Sequence, residues 1–240
     1  VGETKTPLAA LAASGVLNVL LNLFFVIVLK MNVNGVAVAT VISNAISSAI
    51  LYFKLIKSDK YIKVETRKIR IDKENFINII KIGLPAGMQS AVFSVANIII
   101  QSAINSLGTV VIAASGAAFN IEIFAYYVMN SFSQACTTFV GQNYGAGKLD
   151  RCKKTLALSI GEDAVASGIA VATALSAGRF LLSIFNNDPE VIELGYTRLV
   201  YIFFAYIFSM LYEVMSGYLR GFGISLVPAI LTMVGVCGVR

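Results

Sequence analysis

Seven long, mostly apolar stretches separated by polar connections decide what this chain can become. They run roughly over 7–30, 33–56, 80–107, 109–141, 155–178, 194–218 and 224–239. A helix rises about 1.5 Å per residue, so about 20 apolar residues cross the hydrocarbon of a bilayer. Backbone polar groups in hydrocarbon must pair within a helix or around a closed barrel. These runs are long and lack the roughly ten-residue alternation of barrel strands. The expected fold is an all-α integral membrane protein, a polytopic helical bundle. Composition agrees, with 57% hydrophobic and 13% charged residues, against about 45–50% and roughly 25% in a soluble domain. The fourth run is long enough to project beyond the bilayer. The chain opens on Val1 and stops at Arg240 inside an apolar run, so it reads as a piece of a longer chain.

The cations alternate sides with the runs. Residues 54–81 hold nine Lys or Arg, residues 145–154 hold four, and Lys5 and Arg220 fall on the same side. Lys30, Arg179, Arg198 and Arg240 are assigned to the other side, giving fifteen against four. Cationic connections stay in the cytoplasm, so the basic side is expected to be cytoplasmic and the chain to sit in a bacterial-type inner membrane. The net charge of +6 then needs no nucleic acid, and no aromatic platforms interleave the charges.

Catalysis is not expected. The chain has no histidine, which removes His-based acid–base work and most zinc sites. Cys136, Cys152 and Cys237 are isolated and read as free thiols. "GQNYGAGKLD" has Gln142 and Leu149 where a phosphate loop needs Gly and Ser or Thr. No cofactor and no metal site is expected.

The informative residues are polar ones within apolar runs. Gln89, Asn97, Gln101 and Asn105 recur at four or its double, with Phe93 on the missing rung, so they share one helical face. They either join helices as hydrogen-bonding glue or wall a polar cavity. The fourth run adds Asn120, Glu122, Tyr126, Tyr127, Asn130 and Gln134. Glu122 lies ~18 Å from the outer end and Glu213 ~10 Å inside the basic end. Acids at such depth mark function by default; Glu122 could carry a proton or bond a neighbouring helix, and Glu213 could pair with Arg220 instead. Glu162 and Asp163 lie near the start of their run, facing headgroups or a cavity mouth. Asn18, Asn22 and Thr40 supply neutral oxygens that could help hold Na⁺.

Residues 70–82, "RIDKENFINIIKI", read either as an amphipathic interfacial helix or as an extension of the third span. An internal repeat places Gly2, Thr4 and Pro7 against Gly223, Ser225 and Pro228 at a constant offset of 221 residues. Transporters are often built from two related halves.

"GLPAGMQSAVFSVANIIIQSAINSLG", "NIEIFAYYVMNSFSQACTTFVGQNYGAGKLDRCKK" and "LRGFGISLVP" resemble the carboxy-terminal half of the multidrug and toxic compound extrusion (MATE) family. Residues 2–43 resemble spans five and six of its amino-terminal half. The resemblance implies a twelve-helix, two-lobe transporter with a pseudo-two-fold repeat, of which this chain holds spans five to eleven. Residues 1–56 would close the amino-terminal lobe, 57–77 form a basic cytoplasmic linker, and 78–240 form the carboxy-terminal lobe. The implied activity is secondary antiport: organic, often cationic compounds leave in exchange for Na⁺ or H⁺ through a monomer. Asn18 and Thr40 match one family cation site, but Asn22 replaces its Asp. A second family site falls on Phe93 and Ser209, with Glu213 one turn beyond. Glu122 and Glu213 are therefore the ion- or proton-coupling candidates; the amides and tyrosines are candidates for lining a substrate cavity. A lipid-linked precursor flippase of the same superfamily, or an inactive truncated fragment, are the alternatives.

Overall fold

The computed structural model describes residues 4–57, 63–64 and 70–238, and every regular element among them is helical. The sequence match at Gly2, the far end Arg240 and much of the basic stretch 57–77 lie outside the described residues. Two compact units divide between Ile71 and Asp72.

The first unit is a helical hairpin. α1 spans Lys5–Leu23 and runs on as a π-helical turn, Phe24–Val28. α2 spans Val33–Ile56. The reversal between them places Lys30 at φ 53. Small residues at four-residue spacing make the contact: Ala10 and Ser14 from α1, Gly35, Ala39, Ser43 and Ser47 from α2 are buried. In a bilayer the lipid is as apolar as any partner helix, so association rests on close backbone approach and hydrogen bonds rather than on burying leucines. The large side chains accordingly face outward, among them Leu8, Val16 and Ile27.

The second unit holds α3 (Lys73–Asn105), α4 (Thr109–Gly145), α5 (Leu149–Ser176), the short α6 (Gly178–Ser183), α7 (Pro189–Gly221) and α8 (Leu226–Gly238). α3 is one continuous helix. Asp72 caps it by accepting from the Asn75 N–H, so residues 73–82 extend the span rather than form a separate interfacial helix. It opens inside the stretch read as linker. Among the described residues six helices, counting α1 with its π turn, are long and apolar enough to cross a membrane; the described part of α8 is shorter, at 13 residues. Pro7 and Pro228, paired by the repeat, each stand third in their helix, where the missing N–H costs no intrahelical bond.

α4 is the hub, packing on both α5 and α7. The α4–α7 crossing is tight because Gly217 lies against Ser133 and Gly221 against Val140; a Cβ at either would overlap those atoms. Ser133 Oγ donates to the Glu213 carbonyl (2.7 Å) and Thr137 Oγ1 to the Gly217 carbonyl (2.9 Å). α3 packs chiefly on α8 and touches α4 much less. The space between α3 and the α4–α7 pair is where the polar side chains gather.

Candidate functional site

Three helical faces enclose a hollow of about 380 Å³. α3 contributes Ser90, Phe93 and Asn97; α4 contributes Phe119, Glu122, Ile123 and Tyr126; α7 contributes Tyr206 and Glu213. Each set keeps to one side of its helix, and its ends stand seven positions apart, about 10 Å of depth. Two hollows of about 480 and 520 Å³ elsewhere in this unit are lined almost wholly by apolar side chains. The smaller hollow is the one that holds acids.

The two acids differ in their surroundings. Glu122 is buried and held by Arg198: Nε donates to Oε1 at 2.9 Å and Nη2 to Oε2 at 3.3 Å. Its backbone carbonyl accepts from the Tyr206 hydroxyl at 3.1 Å. Glu213 is only partly buried and has no ion pair among the described residues. The expected rival, Glu213 with Arg220, does not form a salt bridge; the Arg220 Nη2 donates to Gln89 Oε1 at 2.7 Å.

Arg198 is the partner that the sequence reading missed: it lies inside α7, within the run 194–218, and provides the counter-charge for Glu122. The run read from the sequence starts at 194, only four residues before Arg198, which left it near the outer end; the helix itself starts at Pro189, nine residues before it, and places it about 14 Å in. Asp163, read as facing headgroups or a cavity mouth, is fully buried and accepts from Ser167 Oγ at 2.6 Å. Glu162, beside it, is exposed.

The amide ladder divides into three parts. Gln89 is buried glue: its Nε2 donates to Tyr212 (2.8 Å) and Thr232 (2.7 Å), and those two hydroxyls also bond each other. Asn97 lines the hollow, with Phe93 on the neighbouring rung. Gln101 and Asn105 are exposed and bond each other at 2.9 Å, away from the hollow. On α4, Gln134 donates to Asn130 (2.6 Å) and Asn130 to the Tyr126 hydroxyl (3.5 Å), so a chain of amides ends at the hollow. Tyr127 is exposed and does not line it. Asn120 bonds the Gly116 carbonyl and faces the 520 Å³ apolar hollow instead.

In the first unit Asn18, Asn22 and Thr40 belong to one hydrogen-bonded chain. Asn18 Nδ2 donates to Ser43 Oγ (3.0 Å) and Thr40 Oγ1 (3.4 Å), and Asn22 Nδ2 donates to Asn18 Oδ1 (3.0 Å). The Asn22 Oδ1 is buried without a hydrogen-bond partner. The stripe Ala10, Ser14, Asn18, Asn22 explains the meeting, because four-residue spacing carries all of them onto the face that packs on α2.

Comparison with known proteins follows the same lines. The MatE family model matches residues 85–240, more than half of the chain. The probable multidrug resistance protein YoeA of Bacillus subtilis is 24% identical, over 100% of this chain and 53% of that protein. YpnP of the same organism, also a probable multidrug resistance protein, is 29% identical, over 97% and 52%. An FAD transporter of Shewanella oneidensis is 24% identical, over 80% and 43%. The chain spans about half the length of these relatives. Among solved structures, the outward-facing conformation of a multidrug resistance MATE transporter superposes with a TM-score of 0.84 at 21% identity, covering 94% of this chain and 51% of that one. MATE in its bent conformation gives 0.81 at 21%, covering 93% and 50%. At such identities the likeness speaks for the fold: this chain has the architecture of half such a transporter.

Proposed function

The chain belongs to the MatE family, a family of multi-pass membrane transporters, and on that premise we propose that it serves secondary antiport. Organic, often cationic compounds leave in exchange for Na⁺ or H⁺. The observation that carries the reading is Glu213, an acid without an ion pair among the described residues, beside Tyr126, Tyr206 and Phe93 in a hollow of about 380 Å³. That volume falls within the 300–1,000 Å³ range, roughly, of drug-binding clefts. A carboxylate attracts a flat organic cation, and aromatic ring faces hold it. When Glu213 takes up a proton or Na⁺, that attraction is lost. The two ligands thereby exclude each other, and a difference in affinity between states is what an antiporter's switch requires.

Glu122 takes a different part. Arg198 already neutralises it, so it contributes a fixed dipole and anchors Tyr206 through its carbonyl. A lipid-linked precursor flippase would need free cations for pyrophosphate. Arg198 is paired with Glu122, and neither Arg198 nor Arg220 lines the 380 Å³ hollow, so the antiport reading fits better. The Asn18–Asn22–Thr40 cluster is a second, carboxylate-free candidate for a coupling cation. We place the basic connections in the cytoplasm of a bacterial-type inner membrane and take the working protein to be a monomer without a cofactor.

The test is gradient-driven efflux by the full-length protein in proteoliposomes, with Na⁺ and pH gradients imposed separately. Glu213→Gln is expected to lose ion-driven accumulation while downhill substrate movement continues. Normal gradient-driven export by that variant would remove Glu213 from the mechanism.

A further inference from the structure

The turn between α4 and α5 carries a feature outside the hollow described above. A cavity of about 440 Å³ opens there, with Lys148, Arg151, Lys154, Phe139 and Leu158 in its lining. The connection is three residues long, 146–148, and Gly147 takes φ 71 to close it. Its backbone is satisfied locally: the Lys148 N–H donates to the Asn143 carbonyl at 2.8 Å and the Gly147 N–H to the Tyr144 carbonyl at 2.9 Å. The turn therefore fixes where Lys148 starts.

From there the order along the helix axis is graded. Lys148, Arg151 and Lys154 fall within about 8 Å of the start of α5. Leu158 lies about 13 Å in, and Phe139 about 9 Å back from the end of α4. Both apolar side chains are more than half exposed, at 63% and 56%. Three cations above two outward apolar side chains match the order of a glycerophospholipid, phosphate above acyl chain. The three cations are all exposed, so none is spent inside the fold.

We propose that this cavity binds the phosphate of an anionic glycerophospholipid, with Lys148, Arg151 and Lys154 around the headgroup and Phe139 and Leu158 against the first carbons of the chains. Juxtamembrane cations attract anionic headgroups. Cations set into a cavity also fix the phosphate in place, while the apolar floor selects a lipid over a free anion.

The experiment is native mass spectrometry of the purified full-length protein with dioleoyl-phosphatidylglycerol or dioleoyl-phosphatidylcholine added. Each of Lys148→Gln, Arg151→Gln and Lys154→Gln is expected to weaken phosphatidylglycerol retention roughly five-fold, and the triple variant to abolish the preference over phosphatidylcholine. Lys153→Gln, an exposed cation that does not line the cavity, should leave the preference intact. Millimolar inorganic phosphate should not displace the lipid. An unchanged preference in the triple variant overturns the proposal, as does an equal loss in Lys153→Gln. Displacement by inorganic phosphate would instead assign the site to a free anion. The single variants, each changing one exposed side chain, keep the test readable even if the triple variant folds poorly.

Discussion

The pair Glu122–Arg198 gives a sharp numerical test, because both partners are largely removed from water and joined by two bonds. The side chains are 10% and 28% exposed, and the contacts are 2.9 and 3.3 Å. Glu122→Gln leaves the Arg198 guanidinium without its partner; Arg198→Gln leaves a carboxylate in the hollow. Each single change should cost about 3–5 kcal/mol, most of it the stranded charge. The double variant strands neither charge, and its two amides can bond each other. It should therefore cost much less than the sum of the singles, with a coupling energy of about 2 kcal/mol or more. The assay is unfolding in mixed detergent micelles followed by helical circular dichroism, suited to a chain with no tryptophan. Single-variant losses that add to the double-variant loss within about 0.5 kcal/mol would refute the buried-pair account. A second readout separates the acids: the double variant should keep ion-driven export, which Glu213→Gln should lose.

Gly217→Ala should destabilise the protein by about 1–3 kcal/mol, the ordinary cost of overpacking, since its Cβ overlaps Ser133 and pries α7 from α4; an unchanged unfolding midpoint would show that the crossing yields easily. Gln89→Leu removes the acceptor for Arg220 and should cost about 1.5–3 kcal/mol, as for hydrogen bonds to charged groups, whereas Gln101→Leu, on the exposed pair with Asn105, should change little; equal losses would contradict the division of the ladder. Arg179→Gln should have no measurable effect on stability, because Arg179 and Glu193 are both largely exposed. The hydrogen bond to Glu193 raises the Arg179 pKa. A raised folded value gives stability that is complete below the unfolded value and is lost only as pH rises through the folded one. Both lie far above neutrality, so this guanidinium should contribute no pH dependence to unfolding between about pH 5 and 9.

Much of the candidate site could be read from spacing. Asn97, Glu122, Tyr126 and Glu213 line one hollow, one of the two arrangements that their spacing left open. What spacing could not divide was the amide ladder. Gln89, Asn97 and Gln101 occupy equivalent positions on one face of α3, yet Gln89 meets α8 and α7, Asn97 meets the hollow, and Gln101 meets Asn105. A helix face several turns long passes different neighbours at different depths, and helical periodicity carries no information about which neighbour stands where.

Local chemistry therefore determined the elements. Runs of about 20 apolar residues become helices wherever they lie, because hydrocarbon leaves the backbone no other partner, and stripes of Ala, Ser and Gly mark the faces that can approach closely. Tertiary structure decided the partners. That Arg198 neutralises Glu122, that Arg220 turns to Gln89 and that Glu213 has no ion pair among the described residues are consequences of how α3, α4, α7 and α8 cross. Partners at separations such as 76 and 131 residues are set by the packing of whole helices, to which each local sequence contributes only a face.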